Sequence, residues 1–84
     1  MSPLWSEGLP LALSCVQERP AYFLWEGRRH VVEHVSRHWR VHLDWWSSSE
    51  TWRDYWEVTT DTGLLCVLYE DLMRHTWLLE RVHE

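Results

Sequence analysis

The sequence predicts an all-β domain: a small antiparallel barrel or strongly curved sheet of six to seven short strands, SH3-like or similar. Three observations carry this. Short apolar runs alternate with polar residues at a period of two, as in Trp39, Val41, Leu43 and Trp45 against Arg40, His42, Asp44 and Trp46. Turn-forming residues separate these runs every eight to twelve positions or so. Eight of the 84 residues are tryptophan, so a few large side chains can fill a small core. Each buried aromatic removes roughly 150–250 Å² from water.

The elements follow in order. Residues 1–10, with Pro3, Gly8 and Pro10, read as an irregular N-terminal arm, and 11–84 as a single small β domain. Leu11–Gln17 alternates Leu11, Leu13 and Cys15 with Ala12, Ser14 and Val16, predicting a first strand. Pro20 resets the backbone before the apolar run Ala21–Trp25. Glu26-Gly27-Arg28 forms a turn, and Arg29–Val35 returns as the partner strand. A second reversal at Ser36-Arg37-His38 would then pair Val35 with Trp39 and Glu33 with Val41.

Val32, Val35, Trp39 and Leu43 are also spaced as on a helix face, but β-branched and aromatic content favours strands. Ser47-Ser48-Ser49-Glu50 is a polar loop. Arg53–Thr60 alternates again, Asp61-Thr62-Gly63 turns, Leu64–Glu70 resembles a central strand, and Asp71–His75 turns into a last strand, Thr76–Val82. Trp39, Trp45, Trp56 and Trp77 are the expected core indoles. Trp45 and Trp46 must face opposite ways if both lie in a strand.

The formal charge of −5 is unevenly spread. Residues 1–27 carry −2, residues 28–53 carry +2 and residues 54–84 carry −5, and four of the six histidines lie in the middle segment. An acidic chain is a poor general polyanion binder, though a local basic patch remains available. Lysine is absent beside eight arginines. Cys15 and Cys66 form no CxxC pair, and neither a signal peptide nor an apolar run of membrane-spanning length is present. A cytoplasmic protein with reduced thiols and no membrane partner is expected.

No glycine-rich phosphate loop, nucleophile elbow or zinc-protease motif occurs, and neither cysteine has a base beside it in sequence. No catalytic residue and no cofactor is therefore assigned, and the chain is not expected to be an enzyme. His30, His34, His38 and His42 recur every four residues, which would align them on a helix. In two strands turning at 36–38 they scatter, with His34 beside Arg40, so no metal site is assigned.

The basic and aromatic mixture of Arg37, Arg40, Trp46, Trp52 and Arg53 is the candidate contact surface. Interface anchors are enriched in Trp, Tyr and Arg, so another protein is the expected partner. The alternative is a single-stranded nucleic-acid-binding module, with indoles stacking on bases and guanidiniums on phosphates. A homodimer burying exposed indoles is a third reading.

The order Trp45-Trp46, Arg53-Asp54-Tyr55-Trp56-x-Val58, Leu68-Tyr69-x-Asp71 and Trp77-Leu78 resembles a small bacterial domain family of uncharacterised function. Pro20-x-x-Phe23-x-Trp25-x-Gly27-Arg28, with Val35 and Trp39-Arg40, extends the likeness over roughly residues 20–83. The closing pattern also resembles the C-terminal segment of ImuB-type Y-family polymerase homologues. What that resemblance implies is an accessory or interaction module, with a role in DNA-damage tolerance, and no reaction. A domain standing alone, without an attached polymerase, is the expectation here.

Overall fold

The computed structural model describes residues 4–83. Six antiparallel strands form a closed barrel in sequence order: β1 (Leu4–Val16), β2 (Arg19–Trp25), β3 (Arg28–Leu43), β4 (Thr51–Thr60), β5 (Leu65–Asp71) and β6 (Thr76–His83). Each strand pairs with its neighbour in sequence, and β1 closes the ring on β6 through Leu9–Leu11 against Leu79–Trp77. Closure gives every strand a neighbour on each side, though β3 beyond Val31 pairs with β4 alone. The all-β expectation holds.

Alternation along β4 explains how the core is made. Trp56, Val58 and Thr60 point inward, where Trp56 and Val58 join Phe23, Trp25, Cys66, Leu68, Leu79 and Val82. Tyr55 points outward and founds a second cluster with Val67 and Tyr69, against which Trp39, Val41 and Leu78 pack. The chain thus covers part of the barrel's outer face with aromatics as well as filling its interior.

The turns show the local chemistry. Glu26 and Gly27 both have positive φ, 52° and 72°, the pattern of a two-residue type I′ hairpin. Gln17 and Glu18 do the same at 52° and 64° without a glycine. The first reversal is therefore at 17–18. Pro20 lies inside β2, opposite Cys15 beside a register shift that spares the ladder its missing N–H. Gly63, at φ 87°, completes the β4–β5 turn, as its sequence position suggests.

Two sequence expectations are corrected. The stretch 1–10 is not all an irregular arm: β1 begins at Leu4, and residues 1–3 lie outside the described residues. The register with β6 shifts between Leu4 and Leu9, and that irregularity absorbs the breaker residues Gly8 and Pro10.

The chain also does not reverse at Ser36-Arg37-His38. β3 runs unbroken for 16 residues, with register shifts between Val32 and His34 and between Val35 and Arg37. That segment has neither Gly, Pro, Asn nor Asp, and none of its residues adopts positive φ. The shifts bend the strand from its pairing with β2 onto β4, so the expected pairs Val35 with Trp39 and Glu33 with Val41 do not form. Two predicted strands become one, which sets the count at six.

Buried His30 is held by a directional hydrogen-bond chain. The Trp25 carbonyl can only accept, so Nε2 of His30 donates to it at 3.3 Å. Nδ1 then accepts from the Thr62 hydroxyl at 2.6 Å; Thr62 accepts from Thr60, and Thr60 from the Leu64 N–H. This side chain ties β3 to the β4–β5 turn alongside the Val31–Asp61 hydrogen bonds, and reaches back to the end of β2.

Candidate functional site: the barrel mouth and its hairpin

The C-terminal half of β3 and the N-terminal half of β4 extend as a hairpin whose two faces carry different chemistry. On the outer face, register pairs Trp39 with Tyr55, Tyr55 with Tyr69 and Tyr69 with Leu78. Trp39 stacks on Tyr55 with ring centroids 5.2 Å apart and planes 4° from parallel, and Tyr55 meets Tyr69 at 5.0 Å. Arg37 lies 4.6 Å over the Trp39 ring and Arg53 4.6 Å over that of Tyr69. Arg53 also donates to the Tyr55 hydroxyl at 3.1 Å. These guanidiniums are roofs for an aromatic ladder, with their stems covering apolar rings.

The inner face of the same hairpin carries three cross-strand pairs. His42 stacks on Trp52 at 5.0 Å and its Nε2 contacts Glu50. Arg40 reaches Asp54 at 3.5 Å. His38 stacks on Trp56 with centroids 3.5 Å apart and holds Asp54 through Nε2 at 2.8 Å. Period-two geometry puts all six side chains in line. The four histidines consequently have separate surroundings: His30 is buried, His34 is exposed, and His38 and His42 each face a carboxylate. Among the described residues no group of three His, Cys, Asp or Glu is arranged to hold a metal ion.

At the base of the hairpin the barrel opens into a cavity of about 680 Å³. Cys15, His38, Asp54, Trp56, Glu70 and Trp77 line it, together with Glu18 of the β1–β2 turn and Arg19 at the start of β2. Burial first, and the charge of Glu70 second, push the Cys15 thiol above its ordinary range. That holds it protonated at neutral pH, the opposite of what a nucleophile needs. Cys66, fully buried, is pushed up to about 12 by burial alone. Both cysteines are free. The Trp56 indole N–H is buried without an acceptor among the described residues.

At the far end of the hairpin, Asp44 takes a positive φ of 53° and ends β3. Trp45 and Trp46 follow in the loop, 67% and 71% exposed, edge-to-face with centroids 5.6 Å apart. Trp45 is therefore not a core residue; the strand alternation stops at Leu43, before it could turn either indole inward. Leu43 is also exposed, and Met73 of the β5–β6 turn lines a cleft with Ser47 and Ser48 of this loop.

The five residues expected to form one surface are thus distributed over three places. Arg37 and Arg53 roof the outer ladder, Arg40 and Trp52 sit on the inner face, and Trp46 is at the tip. Arg53 and Asp54, adjacent in sequence, point to opposite faces and do not pair with each other. The cavity was missed as a site because its lining comes from all six strands. A signal existed, however: Asp54 shares the inward parity of Trp56, and Glu70 that of Leu68 and Cys66, so each puts a carboxylate where alternation calls for an apolar residue.

Among the described residues there is no helix long and apolar enough to cross a membrane. No curated protein and no solved structure matches the chain. A family model does match, over residues 9–84, reaching further toward the N-terminus than the motif likeness and taking in most of β1. The chain belongs to the family described as a domain of unknown function, DUF6504.

Proposed function

We propose that this domain is a non-enzymatic protein-interaction module whose principal contact is the Trp45–Trp46 tip of the β3–β4 hairpin. One observation carries this: two adjacent indoles stand 67% and 71% exposed, packed only edge-to-face on each other, beside exposed Leu43. Scattered exposed apolar residues are ordinary, but a contiguous group of this size on a projecting loop is a contact surface. Trp46 remains the central anchor, joined by Trp45, with Trp52 and Arg40 continuing the surface down the inner face. Arg37 and Arg53 contribute through the outer ladder that stiffens the hairpin.

A protein partner fits better than a nucleic acid because Asp44 and Glu50 flank the indoles, placing negative charge where phosphates would lie. The likeness to ImuB-type polymerase homologues makes DNA-damage-tolerance proteins the partners to test first. The decisive comparison is capture of such a partner by the native domain and by a Trp45→Ala, Trp46→Ala variant, at low and high salt. Retention at high salt by the native protein alone is the expected result. Equal capture by both would refute the tip contact. Steeply salt-dependent quenching of tryptophan emission by single-stranded oligonucleotides would transfer the surface to nucleic acid.

A further inference from the structure

We propose that the cavity at the barrel mouth binds one cationic side chain, an arginine or lysine presented by a partner protein, with Glu70 as its counter-ion. This rests on the reading of the domain as an interaction module but not on the tip contact.

The first ground is charge. Among the groups lining the cavity, Glu18 and Arg19 offset each other, and Arg40 offsets Asp54 at 3.5 Å. Glu70 is left over. Its carboxylate makes no ion pair and no hydrogen bond among the described residues, whereas Asp54 on the neighbouring strand has two partners. Glu70 occupies an inward position of β5, with Asp54 beside it on one side and Trp77 on the other. A half-buried carboxylate with no cation beside it, in a recess of mixed polar and apolar lining, offers a complementary charge to a cationic side chain.

The second ground is the walls. Trp56, Trp77, Val35 and Leu72 line the cavity, so the methylene stem of an arginine or lysine meets apolar surface while its head meets Glu70. Trp56 also leaves its buried N–H without an acceptor among the described residues, so this lining residue is not fully satisfied within the domain.

The third ground is access. The cavity opens onto the inner face of the hairpin, where Arg40–Asp54 and then His42–Trp52 lead toward the Trp45–Trp46 tip. A chain lying along that face would present backbone to the hairpin and drop one side chain into the mouth. At about 680 Å³ the cavity accommodates an arginine with room for water.

The test follows the indole N–H resonances of Trp56 and Trp77 by NMR. The probes are three glycine pentapeptides bearing a central arginine, lysine or glutamine. The arginine and lysine peptides should shift both resonances, and the glutamine peptide should not. Glu70→Gln should weaken the cationic peptides about tenfold, and the Trp45→Ala, Trp46→Ala variant should bind them as the native protein does. No shift at concentrations on the order of tens of millimolar, equal shifts from glutamine, or unchanged binding in Glu70→Gln would each overturn the site. Should Glu70→Gln fail to fold, protection of native Cys15 from alkylation by the arginine peptide decides the question, and absence of protection sinks it. A tip variant that loses partner capture yet keeps peptide binding locates the two contacts separately. Failure of peptide binding alone leaves the tip untouched.

Discussion

Gly8 lies directly against the hydroxyl of Tyr69. A Cβ built on Gly8 would overlap that oxygen and come within 2.9 Å of the Leu78 Cβ, and Gly8 has φ +77°. The same hydroxyl donates to the Glu7 carbonyl at 3.2 Å. The N-terminal half of β1 is thereby pressed onto the outer aromatic ladder. Gly8→Ala should destabilise the domain by about 2–3 kcal/mol, from backbone strain and overpacking together. Because Tyr69→Phe removes both the donor and the overlapping atom, the double variant should lose less than the sum of the singles. Denaturant midpoints of the four proteins measure this, and strict additivity would mean the two residues are not coupled.

The Gln17-Glu18 turn adopts a conformation suited to Asn-Gly. Both residues have positive φ, at a cost of order 1 kcal/mol each for side chains that rarely adopt it. Replacing them by Asn-Gly should stabilise the fold by about 1–2 kcal/mol. Thermal unfolding would show it as a raised Tm, and an unchanged Tm would mean that the two native side chains already offset the strain.

Cys66 gives the domain an alkaline weakness. Burial raises its thiol from 9.0 to about 12 in the folded state, while the unfolded chain ionises near the ordinary value. Between those two values the unfolded state binds fewer protons, so stability falls as pH rises, by up to about 1.4 kcal/mol per unit from this group. Cys66→Ala should be less stable at pH 7 because of the cavity it leaves, yet show a flatter decline above pH 9. Urea titrations across pH 7–11 read both effects, and parallel declines would exclude Cys66 as the source.

The two thiols should react very differently. Cys15 lies at the cavity rim and Cys66 is fully buried, so iodoacetamide should modify Cys15 alone in the native protein. Burial and then the Glu70 charge raise the Cys15 thiol, so its rate at pH 8 should fall below that of a free cysteine. Glu70→Gln removes the second cause only. The rate should increase without reaching the free value, as measured by mass spectrometry over time.

Much of the fold was legible in the residues because strand alternation is a local property. Leu65–Asp71 and Thr76–His83 lie within a residue or so of their expected limits, and the Glu26-Gly27 and Gly63 turns are where glycine makes positive φ inexpensive. The errors fell where the cause is not local. Ser36-Arg37-His38 resembles a turn by polarity, but pairing with β4 draws it straight and converts the surplus residues into register shifts. Pro10 and Gly8 resemble an arm, but pairing with β6 and the Tyr69 hydroxyl hold that segment in β1.

The sequence by itself determined an all-β chain, its glycine-containing turns at Gly27 and Gly63 and the inward or outward parity of many side chains, since each follows from φ preferences and a period of two. Only the tertiary structure decided which face meets what. Barrel closure brings Cys15, Asp54, Glu70 and Trp77 to one mouth, and sends Arg37 and Arg53 away from Arg40 and Trp52. It also ends β3 at Leu43, leaving Trp45 and Trp46 together outside. Neighbours across a barrel are set by register between distant strands, and register is a property of the closed ring that no single strand carries.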